Sequence, residues 1–315
     1  MKTEDLSNLM NSAISGNAKA QVNLGVAFYN GDGLKQDYTE AFKWFAKAAE
    51  QGSIVGQFNT GICYENGNGV ARNYAEAVKW YRKAAEGGHV LAQLYIGNMY
   101  YNGNGVQKSL TEAANWYLQA ANNGNVQAQY NIGVMSEHGQ GVPVNNTEAV
   151  KWYSKAAESG YMKAQYNLGC MYDAGKGVVQ NYNEAAKWYF KAAEQGYVLA
   201  QHNLADFYRN GLGVRKNYVE AMKWYHKAAE QGFAPAQHNL GVIYMGVLIS
   251  SAETGIESNE YEAVKWYRKA AESGYAPSQY QLGVAYMYGL GGLNVDEKEA
   301  KKLMDLAEKQ GFKNY

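Results

Sequence analysis

His202, Asp206 and His238 are the residues of this chain whose types most suggest chemistry. His202 and Asp206 stand at i and i+4, on one face of a helix. Two imidazoles and a carboxylate can bind a transition metal, and a metal site of that kind could serve a metal-dependent hydrolase. The interval between the two histidines is long for a compact site, and no supporting shell is visible around them. A pH-sensitive polar patch is the better reading. The pairs Gly31/Gly33, Gly67/Gly69, Gly103/Gly105, Gly139/Gly141, Gly175/Gly177 and Gly211/Gly213 invite a phosphate-binding reading. Each follows a helical pattern rather than a strand, so they read as turns. No Ser-x-x-Lys nucleophile set stands in its required context. Cys63 and Cys170 read as small buried hydrophobes. No catalytic residue, metal or cofactor is therefore expected.

The elements that position these residues are written many times over. The octet KWYRKAAE occupies residues 79–86 and returns at 265–272. Near-copies begin at 43, 115, 151, 187 and 223. All seven tryptophans, Trp44, Trp80, Trp116, Trp152, Trp188, Trp224 and Trp266, belong to this series, at steps of 36 residues five times and then 42. A fixed period of roughly 20–50 residues marks a solenoid or array. The tandem pattern overrides the two-domain prior that 315 residues would suggest.

One copy, residues 56–88, shows the logic. Gly56, Thr60, Gly61 and Tyr64 form one face of a first helix, which stops at NGNG, where glycine accepts the left-handed conformation. Asn73 followed by Glu76 is a capping box that starts a second helix. It recurs at Asp37/Glu40, Ser109/Glu112, Asn145/Glu148, Asn181/Glu184, Asn217/Glu220 and Asn259/Glu262, so these acids read as helix starts rather than catalytic carboxylates. Ala77, Trp80 and Ala84 share one face of the second helix, and Lys79, Arg82, Lys83 and Glu86 the solvated one. Glycine inside the first helix costs about 1 kcal/mol against alanine, and its recurrence implies close approach between helices. KWYRKAAE is thus structural: its tryptophan packs between repeats, its alanines admit the partner helix, and its charges keep the outer wall soluble.

Composition excludes several function classes. Net charge is zero and the pI about 7.0, with no basic run to serve as a footprint for nucleic acid. No apolar run approaches the roughly 18 residues of a membrane span, and the first 21 residues hold no apolar signal core. The expectation is a cytoplasmic, monomeric protein. The two cysteines sit three repeats apart; with helices stacked at roughly 8–10 Å, they lie beyond the about 7 Å between Cα atoms that a disulfide allows.

Residues 164–196 read AQYNLGCMYDAGKGVVQNYNEAAKWYFKAAEQG. The Ala-Gln-x-Asn-Leu-Gly start, the Gly-x-Gly-Val loop, Glu-Ala-x-Lys-Trp-Tyr and Lys-Ala-Ala-Glu-x-Gly resemble the Sel-1-like repeat, related in shape to the tetratricopeptide repeat. The resemblance covers residues 18–311 in eight copies. It implies an all-α, right-handed α/α superhelical solenoid of eight helix-turn-helix repeats, preceded by an N-terminal capping helix in residues 1–17 and followed by a tail at 312–315. The eighth copy has Leu303 in place of the tryptophan, and the Lys- and Glu-rich helix around it suits a terminal cap. The seventh loop, 245–260, is six residues longer; its apex Val247-Leu248-Ile249 reads as folding back over its repeat. Cysteine-rich secreted members of the family carry a disulfide in each repeat, and this chain lacks those cysteines.

The resemblance also implies a scaffold or adaptor, or alternatively an immunity protein that neutralises one toxin. First helices of such solenoids line a concave wall, and three recurrent positions fall in it. They read Val22/Val26/Tyr29, Phe58/Ile62/Glu65, Leu94/Asn98/Tyr101, Tyr130/Val134/Glu137, Tyr166/Cys170/Asp173, His202/Asp206/Arg209, His238/Val242/Met245 and Tyr280/Val284/Met287. Variation on a fixed frame suits recognition of an extended peptide or helix with apolar anchors and some positive charge. The same aromatics could equally pack between repeats. Beside them runs the series Asn23, Asn59, Asn131, Asn167, Asn203 and Asn239, interrupted by Tyr95 and ended by Gln281. Stacked amides could hold a peptide backbone, or each could bridge helices inside the fold.

Overall fold

The computed structural model describes residues 3–246 and 257–312. The Val247-Leu248-Ile249 apex lies outside the described residues. Two compact units divide the chain, Met1–Ser159 and Gly160–Tyr315. Among the described residues there are seventeen α-helices, one short 3-10 turn and no strand, which makes the fold an all-α solenoid.

In the first unit, α1 (Thr3–Ile14) packs on α2 (Ala18–Asn30). The further first helices are α4 (Ile54–Asn66), α6 (Val90–Asn102) and α8 (Val126–His138). The second helices are α3 (Tyr38–Glu50), α5 (Tyr74–Glu86), α7 (Leu110–Asn122) and α9 (Asn146–Glu158). The second unit alternates α10 (Met162–Ala174), α12 (Val198–Asn210), α14 (Ala234–Met245) and α16 (Ala276–Tyr288) with α11 (Tyr182–Glu194), α13 (Tyr218–Glu230), α15 (Glu260–Glu272) and α17 (Glu297–Lys309). Within each unit every helix packs on the next in sequence. No helix among the described residues is long and apolar enough to cross a membrane.

The second helices start where the Asx and Ser residues predict. Asn73 Oδ1 accepts from the backbone N–H of Ala75 and Glu76, and Asn145, Asn181, Asn217 and Asn259 cap in the same way. The return arm of the capping box is taken by another group. The Asn73 N–H donates to the Tyr64 carbonyl of α4 at 2.8 Å, so Glu76 is free to pair with Lys79 at 2.5 Å. The helix start is thereby tied to its own repeat's first helix.

The core is shared between neighbouring repeats. Tyr81 of α5 and Trp116 of α7 enclose Ile96 and Met99 of α6; Tyr117 and Trp152 enclose Ile132 and Met135. In the second unit Tyr189 and Trp224 enclose Leu204 and Phe207. Burying a large apolar side chain contributes roughly 1.5–3 kcal/mol, so each repeat depends on the next for part of its stability. Gly61 lets α4 lie on the Tyr81 ring: a Cβ there would fall 2.6 Å from it. Gly69 (φ 74°) brings its loop onto the start of α3, where a Cβ would collide with the Tyr38 carbonyl. The Gly-x-Gly pair is thus a turn that also clamps one repeat to the previous one.

The glutamine of the Ala-Gln pair forms a second clamp. Gln93 Nε2 donates to the Ala85 carbonyl at the end of α5, and its Oε1 accepts from Asn123 Nδ2 at 3.0 Å. Gln21, Gln201 and Gln279 do the same with Gln51, Gln231 and Gln310.

Candidate functional site

The side chains proposed from the sequence as a groove lie on the first helices; Val22, Phe58 and Leu94 are buried, Val26 and Met287 exposed, and the others half-buried. Phe58 is buried, stacked on His89 at 4.4 Å and edge-on to Tyr95, which puts it in the inter-repeat core. Tyr130 and Tyr166 also lean on core rings, Tyr153 at 6.0 Å and Tyr189 at 5.8 Å.

The polar members share one partner type that sequence reading did not assign. In five successive second helices the buried tyrosine donates its hydroxyl to a first-helix acceptor. In the first unit Tyr81 donates to Glu65 Oε2 at 2.5 Å, Tyr117 to Asn98 Oδ1 at 2.7 Å and Tyr153 to Glu137 Oε2 at 2.8 Å. In the second unit Tyr189 donates to Asp173 Oδ2 at 3.2 Å and Tyr225 to Asp206 Oδ1 at 2.5 Å. The acceptor sits at one of two positions a helical turn apart, so it reaches the same phenol from either. Burial raises the pKa values of Tyr81, Tyr117, Tyr189 and Tyr225, with the acidic partner adding to the rise for Tyr81, Tyr189 and Tyr225. The hydroxyls therefore stay protonated donors.

Several asparagines of the series meet the same hydroxyls. The Tyr117 phenol interacts with Asn131, Tyr189 with Asn203 and Tyr225 with Asn239, each opposing the burial-driven rise. Asn59 and Asn167 are half-buried and Asn23 is exposed. Tyr101 reaches Gln140 Oε1 at 3.4 Å.

Around His202 the structure builds a polar cluster rather than a metal cage. Asp206 accepts from Arg209 at 2.8 Å and lies 3.5 Å from His202 Nδ1. His202 Nε2 lies 3.2 Å from Asn239 Nδ2. His238 is turned to Ser278, with Nδ1 and Oγ 2.9 Å apart, and packs against Tyr267 and Tyr275. Among the described residues no group of three His, Cys, Asp or Glu could hold a metal. Burial lowers the pKa of both imidazoles, His238 to about 4, while Asp206 opposes the shift at His202. Neither cysteine is in a disulfide; the buried Cys63 thiol is pushed up to about 12 by burial, and the half-buried Cys170 sulfur accepts from the Tyr189 hydroxyl at 3.4 Å; the raised pKa disfavours a nucleophilic thiolate at Cys63.

The paired helices, the Gly-x-Gly clamp and the shared tyrosine–tryptophan core define a repeat protein of the tetratricopeptide-like class. The Sel1 repeat model matches residues 18–53, 54–89, 90–125, 126–161, 163–197, 198–233, 234–275 and 276–312, and the chain belongs to the Sel1 repeat family. A protective antigen present in uropathogenic Escherichia coli strains is similar over 98% of this chain, with 38% identity and a TM-score of 0.90. This chain spans 64% of that protein's length. A Sel1 repeat protein from Oxalobacter formigenes is 31% identical over 98% of this chain and 87% of its own, with a TM-score of 0.74. An immunity protein from Pseudomonas aeruginosa matches 71% of this chain and 83% of its own at 23% identity and a TM-score of 0.37, a likeness too slight to carry a functional argument. No curated protein matches significantly. Repeat folds of this kind are commonly protein-interaction scaffolds.

Proposed function

We propose that this chain is a non-enzymatic scaffold that holds a partner protein by an extended segment laid along its first-helix face. The observation that carries the reading is the contrast between its two helix faces. On the second helices the first-turn glutamate of most repeats is answered locally and in the same way. Glu40, Glu76, Glu148, Glu184, Glu220 and Glu262 pair with the lysine three residues on, and a second lysine stands over the tryptophan in most repeats, as Lys83 does over Trp80 at 4.3 Å. On the first helices Glu65, Glu137 and Asp173 each accept one phenol and, among the described residues, have no cationic partner. Side chains there also differ from copy to copy while the frame is constant. A face that varies and keeps unneutralised acceptors suits selective capture of a segment with apolar anchors and positive charge.

The test compares the two faces of the first unit. Tyr101→Ala/Tyr130→Ala alters the first-helix face; Lys79→Ser/Lys83→Ser alters the second. Proteins of the native cell retained by the wild-type chain should be lost on the first variant and kept on the second, with circular dichroism showing both variants folded. Loss only on the lysine variant would move the binding face and overturn the reading.

A further inference from the structure

The first repeat departs from the tyrosine–acceptor arrangement. Phe45 stands where repeats two to seven have tyrosine, and the two acceptor positions hold Val26 and Tyr29. The Phe45 ring still lies under Gly25, where a Cβ would fall 2.6 Å from it. Nothing replaces the missing hydroxyl and carboxylate. Tyr29 is directed away, its hydroxyl accepting from Asn68 Nδ2 at 2.8 Å. What remains is a pocket of about 140 Å³ lined by Val26, Tyr29, Asn30, Phe45, Asn59 and Ile62. A cavity of about 150 Å³ with an apolar lining stays dry and takes a six-carbon ring, so this one suits a leucine- or isoleucine-sized group. Val26, at its rim, is 38% exposed.

Val26 also borders a wider hollow with Asp5, Leu9, Asn23 and Asp32. Among the described residues neither Asp5 nor Asp32 has an ion-pair partner, and Asp32 accepts from Asn30 Nδ2 at 3.1 Å. Asn59 lines the pocket beside the Phe45 ring, which carries no hydroxyl, and among the described residues its amide makes no side-chain hydrogen bond. One valine thus separates an apolar pit with a free amide from two unneutralised carboxylates.

We propose that this pocket anchors a partner peptide bearing an aliphatic side chain beside a lysine or arginine. The aliphatic group enters between Val26, Phe45 and Ile62, the cation meets Asp5 and Asp32, and the Asn59 amide pairs with the peptide backbone. Charge complementarity selects this occupant, since an apolar anchor alone would fit many segments while two open carboxylates favour a cationic flank. The proposal rests on the scaffold reading and adds to it a position and a peptide chemistry.

The experiment is selection of phage-displayed random heptapeptides on the full-length chain, repeated on Val26→Trp, which fills the pocket, and on Asp5→Asn/Asp32→Asn. Circular dichroism and melting confirm that each variant is folded. Enriched wild-type peptides should pair an aliphatic with a basic residue. As synthetic peptides they should lose about tenfold in affinity on Val26→Trp, the loss expected of one packed anchor. On the double Asn variant the aliphatic preference should persist and the basic one vanish. Enriched peptides that bind Val26→Trp unchanged would overturn the pocket and leave the scaffold reading standing. No enrichment on the wild type would overturn the peptide-anchor proposal, while capture of cellular proteins would still test the scaffold. A wild-type dimer in sedimentation that Val26→Trp makes monomeric would overturn the proposal by naming a second copy as the occupant.

Discussion

The hydroxyl of Tyr81 donates to Glu65 Oε2 at 2.5 Å, joining the last turn of α4 to the middle of α5. Tyr81 is fully buried and Glu65 half-buried, so the carboxylate turns one oxygen inward. An acid on the proposed recognition face therefore also holds the fold, and substitutions there report on both roles. Glu65→Ala leaves a buried phenol without its acceptor and should cost about 2 kcal/mol. Tyr81→Phe with Glu65→Tyr recreates the Phe45 and Tyr29 combination of the first repeat and should cost clearly less than the two single changes summed. A double-mutant cycle by urea unfolding measures this coupling. A Glu65→Ala chain as stable as the wild type would show that the bond contributes nothing.

The helix starts were legible because capping is local: Asn73 and Glu76 stand three residues apart and need no tertiary partner to be recognised. The inter-repeat tryptophan was legible because the period repeats it. The destination of the first-helix acids was harder, because donor and acceptor are separated by 16 residues at Glu65 and Tyr81 and by 19 at Asn98 and Tyr117. A scan at one spacing sees an irregular series of acids and amides. The signal lay in combination. Repeats two to six pair a second-helix tyrosine with an acid or an amide at one of the two positions; the first and last copies have Phe45 and Met304 with Val26/Tyr29 and Val284/Met287, and the seventh keeps Tyr267 beside Val242 and Met245. His202, Asp206 and Arg209 stand on one helix, Asp206 accepting from Arg209 three residues on, but the partners Asn239 and Tyr225 come from the folded surroundings.

The glutamine clamp carries its own control. Gln129 Oε1 and Gln237 Oε1 are buried and have no partner, whereas the same atom of Gln93, Gln201 and Gln279 accepts from an amide at the end of the repeat's second helix. Where that amide is missing the chain has Ser159 or Ser273. Ser273 has φ −80° and ψ 5°, the same angles as Gln231, so glutamine can be placed there without backbone change. Ser273→Gln should supply the absent donor and stabilise the protein by about 1 kcal/mol. Urea midpoints of the two chains check this; no gain, with the new amide left in solvent, would show that the clamp adds nothing to stability.

Acid sensitivity should concentrate at His238. Burial pushes its pKa down to about 4 from an ordinary 6.5. Above pH 6.5 the imidazole is neutral in both folded and unfolded chains and adds no pH dependence. Between pH 6.5 and 4 the unfolded chain binds a proton that the folded chain does not, so stability falls as the pH falls and levels off below the folded value. Burial also lowers His89, His202 and His226, which act in the same direction. His238→Tyr places there the residue that Tyr130, Tyr166 and Tyr280 supply in other repeats, and it removes one of these protons. Unfolding free energies at pH 7 and pH 5 should then show a smaller loss for the variant than for the wild type. An equal loss in both would mean that His238 takes up its proton at the ordinary pH in the folded chain, and that its packing against Tyr267 and Tyr275 does not exclude the charge.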